Sequence, residues 1–111
     1  MRFFNDQVIK NKDMSTSVKS SAIDSRFCFL ASAYIAVTGA AVGTIQIEVS
    51  NDEVTAGEPG RWIGIGTPVA INGTAAILIP ATSICYQYIR ISYVRTSGTG
   101  TLDVFVHMVG Y

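Results

Sequence analysis

Thr44-Ile45-Gln46-Ile47-Glu48-Val49-Ser50 alternates without a break, with Ile45, Ile47 and Val49 on one parity and Thr44, Gln46, Glu48 and Ser50 on the other. A period of two lines one face of a pleated strand with aliphatic side chains and the other with polar ones, as in a half-buried antiparallel strand. A helix would scatter the same residues around its circumference. Upstream, Phe27, Phe29, Ala31, Ala33, Ile35 and Val37 alternate with Cys28, Leu30, Ser32, Tyr34 and Ala36, and Thr38-Gly39 reads as a turn. Downstream, residues 84–95 place Ile89, Ile91 and Tyr93 on the buried parity, with Tyr88, Arg90 and Ser92 opposite. After a turn at Ser97-Gly98-Thr99-Gly100, Leu102, Val104, Val106 and Met108 face in, while Asp103, Phe105, His107 and Val109 face out. Between these stretches, Asn72-Gly73 is a strong hairpin signal flanked by Val69-Ala70-Ile71 and residues 74–79. The longest polar loop, NDEVTAGEPG at 51–60, precedes a short strand at Arg61-Trp62-Ile63.

Composition agrees with that reading. The 111 residues suit one domain, and 24 Val plus Ile stand against three Leu, beside ten Thr and ten Gly. Short strands at close spacing, with turn signals and no helical period, predict an all-β fold: an antiparallel β-sandwich or jelly roll of about eight strands. Residues 17–111 form that sandwich in this reading. Residues 1–16 stand apart as an N-terminal arm, with Phe3-Phe4 and no alternation longer than Gln7-Val8-Ile9. The arm is expected to reach outside its own sandwich, with Gln7-Val8-Ile9 adding to an exposed edge.

Charge and chemistry narrow the function. Eight basic residues balance eight acidic ones and charged residues make up only 14% of the chain, so no basic footprint for nucleic acid exists. No apolar stretch of secretory length follows Met1-Arg2-Phe3-Phe4. Residues 27–47 lack charge and contain Gly39-x-x-x-Gly43, but their alternation favours strands over a membrane helix. Cys28 and Cys85 lie 57 positions apart without the tryptophan and tyrosine spacing of an immunoglobulin domain, and they read as two buried free thiols. His107 is the single histidine, and no local triad or carboxylate pair accompanies it, so no catalytic role is expected. No cofactor, metal or small-molecule ligand is expected either. Asn51, Asp52, Glu53 and Glu58 could offer oxygens to a hard cation, yet they lack the ligand order of a calcium loop.

Two readings from different classes remain. In one, Trp62, Tyr86, Tyr88, Tyr93 and Phe105 form an aromatic platform for carbohydrate. In the other, apolar residues on outward parities mark surfaces for assembly. The assembly reading singles out Phe3, Phe4 and Val8 on the arm, Phe105 on the last strand, and Arg90 as a planar donor for a carboxylate on a neighbouring chain.

Four segments in order carry a resemblance: Gly43-Thr44-Ile45-Gln46-Ile47-Glu48-Val49-Ser50-Asn51-Asp52, then Arg61-Trp62, Tyr88-Ile89-Arg90-Ile91-Ser92-Tyr93, and Ser97-Gly98-Thr99-Gly100-Thr101-Leu102-Asp103-Val104. Together the chain resembles small bacteriophage virion structural proteins over roughly residues 27–109, with residues 1–16 finding no counterpart. The resemblance implies a β-sandwich in a head, decoration, neck or tail structure, in symmetric copies. It implies other virion proteins and copies of the chain as partners, and a place in a virion assembled in the host cytoplasm.

Overall fold

Each alternating stretch forms a strand. The computed structural model describes residues 2–52, 54–55 and 58–110, without the side chains of 2, 54, 55, 58 and 59. In chain order the strands are β1 (Arg2–Asp13), β2 (Val18–Lys19), β3 (Ile23–Asp24), β4 (Cys28–Gly39), β5 (Val42–Ser50), β6 (Val54–Thr55), β7 (Glu58–Pro59), β8 (Ile63–Asn72), β9 (Ala75–Ser83), β10 (Tyr88–Ser97) and β11 (Gly100–Gly110). One sheet has the order β1-β11-β4-β9. The second has the order β2-β10-β5-β8, with β3 also on β10, and β6-β7 make a small ribbon. All ladders are antiparallel.

The pairings nest: β1 with β11, β2 and β3 with β10, β4 with β9, and β5 with β8. The chain is therefore one long antiparallel ribbon folded back on itself. Rolling the ribbon adds the β11–β4 and β10–β5 ladders and divides the strands between two facing sheets. That is a jelly roll, with β2 and β3 as two pieces of one interrupted strand.

The core lies where the inward parities meet. Ala31, Ala33, Ile35 and Val37 of β4 and Leu102, Val104, Val106 and Met108 of β11 face Ile45, Ile47 and Val49 of β5 and Ile89, Ile91 and Tyr93 of β10. Burying one large aliphatic side chain of this kind contributes about 1.5–3 kcal/mol. Tyr93 is wholly buried, and its hydroxyl donates to the Val42 carbonyl at 3.3 Å, so its polar tip is satisfied. Turns at one end of the sandwich hold the sheets together. Gly98 sits at φ 74°, and a Cβ there would collide with the backbone of Ala40 in the β4–β5 turn.

Several sequence expectations change. Residues 2–13 are not an arm outside the sandwich: β1 pairs with β11 of its own chain from Arg2 to Asp13, and Ile9 and Met14 enter the core. Strand addition at Gln7-Val8-Ile9 does occur, but to the chain's own sheet edge. Asn72-Gly73 turns the chain with Gly73 at φ 81°, yet it joins β8 and β9 across the two sheets instead of closing a hairpin. The reason is pairing: β8 takes β5 as its neighbour and β9 takes β4. Both thiols are unbonded, Cys28 buried but Cys85 exposed, because β10 begins at Tyr88 and leaves residue 85 in the preceding loop. The uncharged stretch 27–47 supplies β4 and most of β5, and no helix among the described residues is long and apolar enough to cross a membrane.

Candidate interaction surfaces

The outward parity of the four-stranded sheet is built by register. Gln7 of β1, Phe105 of β11, Tyr34 of β4 and Leu78 of β9 stand in one row across all four strands. Phe3, Val109, Leu30 and Ser83 make a second row, and Asn5, His107 and Ser32 lie between them. Four large side chains on this face are open to solvent: Phe3 at 65%, Leu78 at 63%, Tyr34 at 48% and Phe105 at 43%. The Phe105 and Tyr34 rings lie 6.4 Å apart, tilted by 50°, and Phe3 stacks on His107 at 5.9 Å. His107 Nδ1 and the Asn5 carboxamide oxygen are hydrogen-bonded. The carboxylate of β11 on this face, Asp103, accepts from Gln7 Nε2 at 3.0 Å and from the Asn11 backbone N–H at 2.9 Å, and Asp13 of β1 stands at the far corner opposite Thr101.

The second sheet turns a different face outward. Arg90 Nε donates to Glu48 Oε1 at 2.7 Å, with both side chains mostly covered, and the guanidinium carbon lies 4.3 Å from the centre of the Trp62 ring. Gln46 Nε2 donates to the Gly66 carbonyl at 2.8 Å. The polar groups of this face are paired among themselves, and Val94 is its exposed large apolar side chain.

Of the residues expected at interfaces, Phe3 and Phe105 come together on the apolar face. Phe4 lies on the opposite parity of β1 at the sandwich rim, and Val8 sits half-buried at a register shift, packed on the core. Arg90 belongs to the other sheet, where Glu48 already occupies the role proposed for a neighbour's carboxylate. Tyr34 and Leu78 were not singled out, although the alternation in residues 27–37 already placed Tyr34 opposite the buried set.

The carbohydrate platform does not assemble. Tyr93 is in the core, Phe105 is on the four-stranded sheet, and Trp62 lies under Arg90 beside the other sheet. At the end of the sandwich that carries the β5–β8 loop, clefts of about 310 and 330 Å³ adjoin Tyr86. Burial pushes the Cys28 thiol up from its ordinary value there. The Arg61 guanidinium grips Asp52 in two 3.0 Å hydrogen bonds and holds its carboxyl below the usual range, and Asn51 Oδ1 accepts from the Gln87 N–H. Two of the four candidate cation ligands are thus engaged with protein partners, and the side chains of Glu53 and Glu58 lie outside the described residues. Among the described residues no group of three or more His, Cys, Asp or Glu could hold a metal.

No family model and no curated protein matches the sequence. Solved structures do resemble its fold. A chain of the T13 IBDV viral particle shares 9% identity at a TM-score of 0.63, over 98% of this chain and 31% of that one. A chain of infectious bursal disease virus, Gx strain, shares 7% at 0.53, over 96% and 31%. The crystal structure of PirA shares 13% at 0.58, over 96% of this chain and 93% of that one. The chain thus spans about a third of the viral chains and nearly all of PirA. At these identities the likeness is one of fold.

Proposed function

We propose that this chain is a non-enzymatic structural component of a virus particle, binding copies of itself or other virion proteins. The bacteriophage assignment rests on the ordered motifs that resemble small phage virion proteins. The observation that carries the reading is the open apolar face of the four-stranded sheet, on a jelly roll whose fold resembles part of chains from viral particles. Large apolar patches on such domains mark association sites. A virion location, with assembly in the host cytoplasm, follows from the same reading.

Quantitative mass spectrometry of gradient-purified particles tests it. The chain should co-purify with particles at a fixed ratio corresponding to many copies. Absence from particles that contain the other structural proteins would refute the reading.

A further inference from the structure

We infer that two copies of this chain associate back to back through the outward face of the four-stranded sheet, around Phe105, Tyr34 and Leu78, and not by strand addition at a sheet edge. The inference rests on the structural reading above and names the surface and its partner.

Every edge of the two main sheets is interrupted. On β9, Pro80 removes a donor where the register shifts between Ala31 and Ala33 of its neighbour. On β8, Gly66, Thr67 and Pro68 bulge out between Ile65 and Val69. β1 has two register shifts and Asn11 at φ 48°, with Lys10 and Lys12 exposed beside them. The last edge is divided between β2 and β3, of two residues each. Interruptions of these kinds blunt edge pairing.

The face itself suits a second copy. A two-fold contact sets the same patch against itself, so charge on it would meet like charge. Here the outward residues of β4 and β9 carry no charge, the single carboxylate of β11, Asp103, is held by Gln7 and Asn11, and the exposed charges at Lys10, Lys12 and Asp13 lie on the edge strand β1, away from the row of Phe105, Tyr34 and Leu78. Four strands about 4.8 Å apart and ten residues at about 3.4 Å each give on the order of 600 Å² in projection. Side-chain relief brings that towards the roughly 800 Å² per partner of a standard interface.

Sedimentation equilibrium of the full chain across a concentration series reads the outcome. The wild type should form a dimer, with Phe105→Asp lowering the association constant at least a hundredfold and Leu78→Gln about tenfold. Thr44→Asp, outward on the other sheet, should leave it unchanged. Circular dichroism melts establish that each variant folds, and Leu78→Gln on a different strand carries the test if Phe105→Asp does not. A wild type monomeric at every concentration, or a dimer indifferent to both substitutions, would overturn the inference. Dimerisation as described by a chain absent from particles would instead refute the virion reading and leave this surface standing.

Discussion

The two outer faces of the jelly roll share one backbone plan and differ in the large side chains that point outward. On β5 and β10 the outward side chains include Glu48 and Arg90, which bond to each other, with Trp62 stacked on the guanidinium. On β9, β4 and β11 they include Leu78, Tyr34 and Phe105, which the monomer leaves open to water. The inward parity of both sheets is equally apolar, so folding does not distinguish them. Fold is therefore encoded in one parity, and the association proposed above in the other. An exposed apolar face forgoes about 25 cal/mol for each Å² left uncovered, which a partner surface recovers.

The largest expected effect breaks the comparison at its margin. β1 carries Phe3 on the apolar face but Ile9 in the core, so deleting residues 2–13 removes a paired strand as well as an exposed ring. Loss of the cooperative unfolding transition is expected, since the deletion strips β11 of a ladder partner and takes Ile9 from the core of a domain whose typical net stability is only about 5–15 kcal/mol. A truncated chain that melts like the full one would show β1 to be an appendage.

Neighbouring residues on β4 sharpen the contrast. Ile35→Ala should cost about 2–5 kcal/mol in chemical denaturation, because it empties a wholly buried site. Tyr34→Ala, one position away on the outward parity, should cost under about 1 kcal/mol while weakening self-association. Equal losses would mean that the outer face supports the monomer's own stability. On the other sheet, Glu48→Ala should cost about 1 kcal/mol by leaving Arg90 half-buried without its carboxylate, with no effect on association.

How much of this was legible follows from what sets each feature. Parity within a strand is local, so the buried sets of β4, β5, β10 and β11 could be read from alternation alone. Partner choice is not local. Asn72-Gly73 specifies a turn, but whether the flanking strands pair or separate between sheets depends on β5 and β4 taking them as neighbours. β1 is hard to read for a related reason: its bulges at Val8 and Asn11 break the alternation, and Asp103, 92 positions from Asn11, helps to hold them. Arg90 was legible as an outward cation, and its pairing with Glu48 only once β10 and β5 were in register. Phe105 is legible as an outward aromatic and Phe3 as an apolar anchor of the N-terminal segment. That Tyr34 and Leu78 complete their patch depends on the order β1-β11-β4-β9.

Titration gives the smallest effects. Burial raises the Tyr93 pKa above its ordinary value near 10, so the stability contributed by the neutral phenol is complete below that pH and lost as pH rises through the folded value. In an alkaline titration followed by tyrosinate absorbance, one of the five tyrosines should ionise only with unfolding. All five ionising before unfolding would contradict its burial. On the acid side, Arg26 lowers Asp24, Arg61 lowers Asp52, and the Ser15 backbone N–H lowers Asp13. Their contribution is present above the ordinary carboxyl range and is lost as pH falls through the lowered values, with a small effect because these groups are solvent-exposed.

Hydroxyl-radical footprinting of dilute and concentrated protein tests the difference between the faces most directly. Phe3, Tyr34, Leu78 and Phe105 should become protected as concentration rises, while Tyr88 and Trp62 beside the other sheet keep their reactivity. Protection of the Tyr88 and Trp62 side, or of neither, would contradict the assignment of association to the four-stranded face.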